Sequence, residues 1–241
     1  MPDKRTHRGP HPEDAALFTT GTLPVLRQAV GDMSWLLSRG YADKSTLKIV
    51  GDRYRLTQRQ RMVLMRTACS DDQRRQRKAK CASPANVTSQ PLMLDGYNLL
   101  ITIEAALSHA PLFISRDRCI RDLASVHGTY RKVNETLPAI KTIAHTLARL
   151  GPSEVIWLLD KPVSNSGRLK KIIIDHAAQN ALPWQVELVL SPDSMLIESD
   201  HIIATSDSAV IDGCGRWLNL ARIIIERLMP EYDLNLLDLS E

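Results

Sequence analysis

"EVIWLLDKPVSNSGRLKKIIIDHAAQNALPWQVELVLSPD" (residues 154–193) decides the fold. It opens with an apolar run ending at Asp160. A polar loop follows, then a helical stretch over 166–182. A second apolar run, starting at Trp184, ends at Asp193. Strand, helix, strand in about forty residues is the unit of parallel pairing, because parallel neighbours need a long crossover. The strands are apolar throughout rather than alternating, as in a sheet covered on both faces.

The pattern extends both ways. "PLMLDGYN" (91–98) is a short apolar strand reaching Asp95, and "HIIATSD" (201–207) is another reaching Asp207. "RWLNL" (216–220) supplies a further short strand. "PAIKTIAHTLARLG" (138–151) repeats apolar residues at three and four and stops at Gly151, and "ARIIIERLMP" (221–230) is a closing helix. The expected fold is α/β, a Rossmann-like parallel sheet flanked by helices over 92–241.

Before it the character changes. Residues 1–91 carry 17 Lys and Arg against 8 Asp and Glu, whereas residues 92–241 carry 14 against 19. Thr22–Arg39 has the spacing of an amphipathic helix, and "STLKIVGDRYRL" (45–56) fits a helical turn or a small hairpin. Thr57 caps a helix through "TQRQRMVLMRTAC" (57–69), and "DDQRRQRKAK" (71–80) continues it or frays. The expected organisation is a disordered segment 1–14, a basic helical domain 15–80, a linker 81–91, and the α/β domain. Arg59, Arg61 and the run "RRQRKAK" (74–80) are candidate phosphate-backbone contacts, set against the plain reading of a solvated helix face. Aromatic residues are sparse in this half, which favours backbone contacts over base reading.

At 44% hydrophobic and 24% charged, the composition is that of a soluble globular protein. No apolar run spans a bilayer, and the N-terminus lacks a signal-peptide stretch. Four scattered cysteines form no CxxC pair, which argues against zinc knuckles and a disulfide framework. The expected location is cytoplasmic, with no membrane partner; a homo-oligomer is left open.

Four predicted strands thus lead to aspartates: Asp95, Asp160, Asp193 and Asp207. In a parallel sheet these ends share one edge, where ligands bind. Clustered carboxylates repel unless a cation neutralises them, and Mg²⁺ or Mn²⁺ suits oxygen donors. The competing reading is that Asp follows strands as a turn former or helix cap; "SPDS" (191–194) is a good turn in its own right. In the loop after Asp160, Ser164, Ser166 and Arg168 are candidates to cradle a phosphate at a helix N-terminus, against a plain helix cap at Ser166. No P-loop spacing and no nucleophile elbow is present.

"LDGYN" (94–98) and "ATSD" (204–207) resemble the signatures of PIN-like nucleases, especially the NYN branch. With "RDRCIRDL" (116–123) and "LLDKPVSNSG" (158–167), the arrangement from about residue 20 to the last helix also resembles a prokaryotic family known as domain of unknown function 434, whose C-terminal half is classed as PIN-like. The resemblance implies that Asp95, Asp160 and Asp207 hold Mg²⁺ or Mn²⁺ and that Asn98 steadies the first acid or a water. Asp212 stands as a further acid. A mid-domain helical acid is expected too, and Glu104, Asp122 and Asp193 compete for it. Ser206 and Ser208 flank Asp207 as substrate contacts. The implied activity is metal-dependent hydrolysis of nucleic acid, RNA in preference to DNA. The alternatives are a catalytically silent binding protein and a phosphatase or nucleotide-handling enzyme.

Overall fold

The computed structural model describes residues 6–124 and 129–240. After a single turn, α1 (Asp14–Leu17), the chain forms four helices: α2 (Leu23–Leu37), α3 (Asp43–Arg53), α4 (Gln58–Thr67) and α5 (Asp71–Lys80). Of the two readings open for 45–56, the helix is the one formed. The stretch 71–80 does not continue α4. Ala68 leaves the helix in extended geometry, and Ser70 starts α5 with its own capping box to Gln73. Thr57 caps α4 in the same way with Gln60.

The α/β part follows through a 3₁₀ turn at Pro84–Asn86. Its elements are β1 (Pro91–Asp95), α6 (Gly96–Leu107), β2 (Leu112–Ile114), β3 (Ile120–Arg121), α7 (Thr136–Leu150), β4 (Glu154–Asp160), α8 (Ser166–Gln179), β5 (Trp184–Val189), α9 (Pro192–Glu198), β6 (Ile202–Ala204), α10 (Ser208–Gly213), β7 (Trp217–Leu218), α11 (Leu220–Leu228) and β8 (Leu236–Asp238). Five strands form a parallel sheet in the order β5-β4-β1-β6-β7. β3, β2 and β8 form a second small sheet, too short for alternation to show in sequence.

Apolar side chains cover both faces of the large sheet. Leu92 and Leu94 of β1 join Ile103 of α6, Ile140 and Ile143 of α7 and Ile224 of α11 in one core. Met93, Leu158 and Ile203 face the other way, against Leu196 of α9 and Val210 and Ile211 of α10. α6 is buried nearly all round, which accounts for its weak periodicity. Its first residue must be glycine: a Cβ at Gly96 would lie 2.6 Å from the Leu158 carbonyl oxygen of β4.

The helical region does not stand apart as a separate basic domain. Leu26, Val30, Val63 and Leu64 share a core with Phe113, Leu123, Leu237 and Leu239, so the helices close over the small sheet. The expected linker is pinned as well, with Val87 buried and Ala82 donating to the Trp217 carbonyl at 2.7 Å. Of the segment expected to be disordered, residues 1–5 lie outside the described residues. Residues 6–14 are held, because Arg8 reaches the fully buried Glu104 at 2.9 Å and Asp14 caps back on His11 N at 2.8 Å. Among the described residues no helix is long and apolar enough to cross a membrane.

Candidate functional site: an acidic sheet edge beside a cleft

The parallel register brings the predicted acids to one edge. Asp95 pairs with Leu158, two residues before Asp160, and Leu94 pairs with Ala204, just before the Thr205–Asp207 loop. One strand spacing and two residues of rise separate the Asp95 and Asp160 Cα atoms, about 8 Å. Asp193 sits in the first turn of α9, and Asp207 is the N-cap of α10.

Three of these acids feel the others. Burial pushes the Asp95 carboxyl up to about 7, and Asp207 and Asp193 add to the rise. The Thr205 hydroxyl at 2.8 Å and the Asn98 backbone N–H pull against it. Asp160 is raised by burial and then by Asp193, and Asp193 by burial and then by Asp207. Among the described residues no Lys, Arg or His forms an ion pair with any of the four. Nor do any three His, Cys, Asp or Glu side chains there converge into a ready-made metal cage.

Asp207 also does what a cap does. Its Oδ1 accepts from Ala209 N at 2.8 Å and Val210 N at 3.2 Å. Asn is as good an N-cap as Asp, whereas Ala is not. Asp207→Asn is therefore expected to unfold within a few tenths of a kcal/mol of the parent in EDTA, and Asp207→Ala about 1 kcal/mol sooner, measured by urea denaturation. Equal losses in both variants would rule out the cap as the source of the effect.

Asn98 acts differently from expectation. Its side-chain oxygen accepts from Ser206 N at 3.0 Å and Ser206 Oγ at 2.7 Å. The side chain thus ties the start of α6 to the loop carrying Asp207, while only its backbone N–H favours ionised Asp95.

Asp212 does not join the edge. Arg77 of α5 donates to both its oxygens, at 2.6 and 2.7 Å, and so neutralises it. Glu104 and Asp122 are also committed elsewhere. Glu104 is buried two turns along α6 with Arg8, Tyr130 and Thr136; burial raises its carboxyl despite the Arg8 charge. Asp122 accepts from Thr102 Oγ1 at 2.6 Å and Ala124 N at 2.7 Å. Of the candidate phosphate contacts, Arg59 forms a bidentate pair with buried Asp14, and Arg61 pairs with Asp52 at 2.8 Å. After β4, Ser166 is buried with its hydroxyl on the Lys161 carbonyl, while Ser164 and Arg168 are exposed. Ser164 is held by its backbone, whose carbonyl accepts from Tyr130 N.

A buried ionic group lies behind the Asp207 loop. Asp117 accepts from Arg121 at 2.9 and 2.7 Å and from Arg77 at 2.6 Å. Arg121 also donates to the Ser206 carbonyl at 2.8 Å and to Ser208 Oγ at 3.1 Å. Thr205, Asp117, Arg121 and Arg77 escape sequence reading, since nothing local marks a charge for burial. In front of the loop, between α4 and α6, is a cleft of about 430 Å³ lined in part by Met65, Arg66, Tyr97, Asn98, Asp207 and Ser208. The Tyr97 hydroxyl is buried with no partner among the described residues, and burial, then Asp160, raises its pKa.

The fold and site define an α/β protein with a helical N-terminal region and an acidic sheet edge that is unpaired among the described residues. Residues 84–223 match the family described as "Domain of unknown function (DUF5616)", and the chain belongs to that family. Residues 25–80 match "Protein of unknown function (DUF434)", so the expected likeness to that family holds for the helical region, and the α/β part falls under the other description. The uncharacterized protein MJ0935 of Methanocaldococcus jannaschii is 30% identical over 187 residues, covering 77% of this chain and 88% of that protein. No solved structure matches significantly.

Proposed function

We propose that the protein is a PIN-like, divalent-metal-dependent nuclease that hydrolyses RNA in preference to DNA. The observation that carries this reading is the set of four aspartates at the C-terminal sheet edge, without counter-ions among the described residues, each of three held above its ordinary range partly by the others. Elsewhere the chain pairs its buried acids with arginine, as at Asp14 and Asp117. Clustered and unneutralised titratable groups mark functional sites.

The donors fit Mg²⁺ or Mn²⁺ in kind, being hard oxygens only. Asp95, Asp160 and Asp207 would hold the ion, with Asp193, which raises Asp95 and Asp160, as a fourth acid. A divalent ion supplies Lewis acidity toward water and phosphate. The chain's own groups position the substrate. Ser208 Oγ accepts from Arg121 and so keeps its proton for a phosphate oxygen. Asn98 and Arg121 fix the loop just before Asp207 through Ser206.

The test is incubation of the full chain with RNA, DNA of the same sequence and small phosphoesters, with Mn²⁺, Mg²⁺ or EDTA. RNA cleavage only with metal is expected, falling by on the order of 100-fold in Asp160→Asn as charge stabilisation is lost. A second reading, a silent nucleic-acid-binding protein, is favoured by the absence of a three-residue cage among the described residues and by the capping role of Asp207. RNA binding without cleavage under any metal would establish it. Preferential hydrolysis of phosphomonoesters would instead mark a phosphatase.

A further inference from the structure

We propose that the cleft between α4 and α6 seats one nucleotide of a single strand, its base against Met65 and its phosphate toward Asp207 and Ser208. The direction of the phosphate rests on the nuclease reading; the base seat rests on the cleft itself.

The cleft, at about 430 Å³, is within the range of small-ligand pockets and suits one nucleotide rather than a duplex. Its walls differ in chemistry. Met65 is 61% exposed and projects from α4, whose Val63 and Leu64 are fully buried. A thioether stacks well on a ring. Across from it, Tyr97 and Ile101 of α6 supply the other apolar surface. The lining carries both signs, Arg66 and Arg121 beside Asp122 and Asp207. Arg66 is fixed by the Asp122 and Ala124 carbonyls yet keeps a third of its side chain open to solvent. Such an anchored guanidinium suits a phosphate or a ring face.

Continuity with the acids argues for a substrate unit rather than an unrelated ligand. Asp207 and Ser208 line the cleft, and Asp207 also raises Asp95 and Asp193 at the edge. A base in the cleft therefore brings its own phosphate to the acids. The base must be unstacked to enter, which selects single strands. The helical region then supplies one wall of a specificity pocket, through Met65 and Arg66, the residues of α4 that line the cleft; Arg66 stands 3.7 Å from the Asp122 carboxylate.

The test uses the full chain in EDTA, where nothing is cleaved, titrated calorimetrically with uridine and adenosine monophosphates, ribose 5-phosphate and inorganic phosphate. The nucleotides are expected to bind about tenfold or more tightly than ribose 5-phosphate, as base stacking contributes. Met65→Ala should weaken the nucleotides about tenfold and leave ribose 5-phosphate unchanged. Because Met65 is exposed, that variant should unfold like the parent. Nucleotide bound no better than ribose 5-phosphate, or bound equally by Met65→Ala, would overturn the proposal. Nucleotide binding in a protein that cleaves no RNA with any metal would sink the nuclease reading and leave the base seat standing.

Discussion

Replacing Arg121 with Met is expected to destabilise the protein by about 3–5 kcal/mol, the usual effect of removing one partner from a buried ionic group. Arg121 is 6% exposed and gives hydrogen bonds to Asp117, Ser115, Ser206 and Ser208. Without it, Asp117 keeps Arg77, the Ser115 hydroxyl and Cys119 N, and the Ser206 carbonyl loses its guanidinium donor. A carboxylate buried with half its counter-charge costs several kcal/mol. The pH dependence follows from the same contact. Although burial raises Asp117, the Arg121 and Arg77 guanidiniums outweigh it and hold the carboxyl well below the usual carboxylate range. A depressed folded value gives stability that is present above the unfolded pKa of about 4 and is lost as pH falls through the folded one. Arg121→Met should therefore unfold at a higher pH in an acid titration followed by circular dichroism. A urea-derived loss under 1 kcal/mol at pH 7, with an unchanged acid midpoint, would mean that this group is solvated and does not brace the Asp207 loop.

The contrast between Asp212 and Asp207 shows how far sequence carries. Both are acids near the same strand end, five residues apart. Only the fold separates them, because Arg77 arrives from 135 residues away to neutralise one and not the other. The parallel sheet was legible because strands covered on both faces are apolar without alternation and their helices have clear stripes, as in α7. α5 was not, since "DDQRRQRKAK" has almost nothing apolar to show a period. Its sign was instead the capping pair Ser70 and Gln73. A basic run read as a solvated or phosphate-binding face proves to carry a buried Arg77, with its carbonyl accepting from Trp217 Nε1 at 2.8 Å. Charge composition indicates how many cations a segment has; which of them are free depends on long-range pairing.

Asp95→Asn should stabilise the metal-free protein at pH 8 and remove its response to Mn²⁺. The Asp95 carboxyl lies at about 7, raised by burial first and then by Asp207 and Asp193. The unfolded chain releases this proton near pH 4, and the folded protein holds it until about 7. Between those values the folded state binds more protons, so stability falls as pH rises, and the whole penalty stands above pH 7. Its size is on the order of 2–4 kcal/mol, the upper figure being the full shift converted at 1.36 kcal/mol per unit. The substituted amide carries no charge at any of these pH values and can still accept from Thr205, so the variant lacks this slope. In EDTA the parent and the variant should match near pH 4 and diverge toward pH 8, with the variant the more stable. Saturating Mn²⁺ should close the gap, because an ion at 1,000 times its dissociation constant adds about 4.1 kcal/mol to the form that binds it. An amide is a poor ligand for such an ion, so the variant should gain little and cleave nothing. A variant less stable than the parent at pH 8 in EDTA, with the Mn²⁺ shift intact, would make Asp95 a structural partner of Thr205 and remove the central ligand from the proposed site.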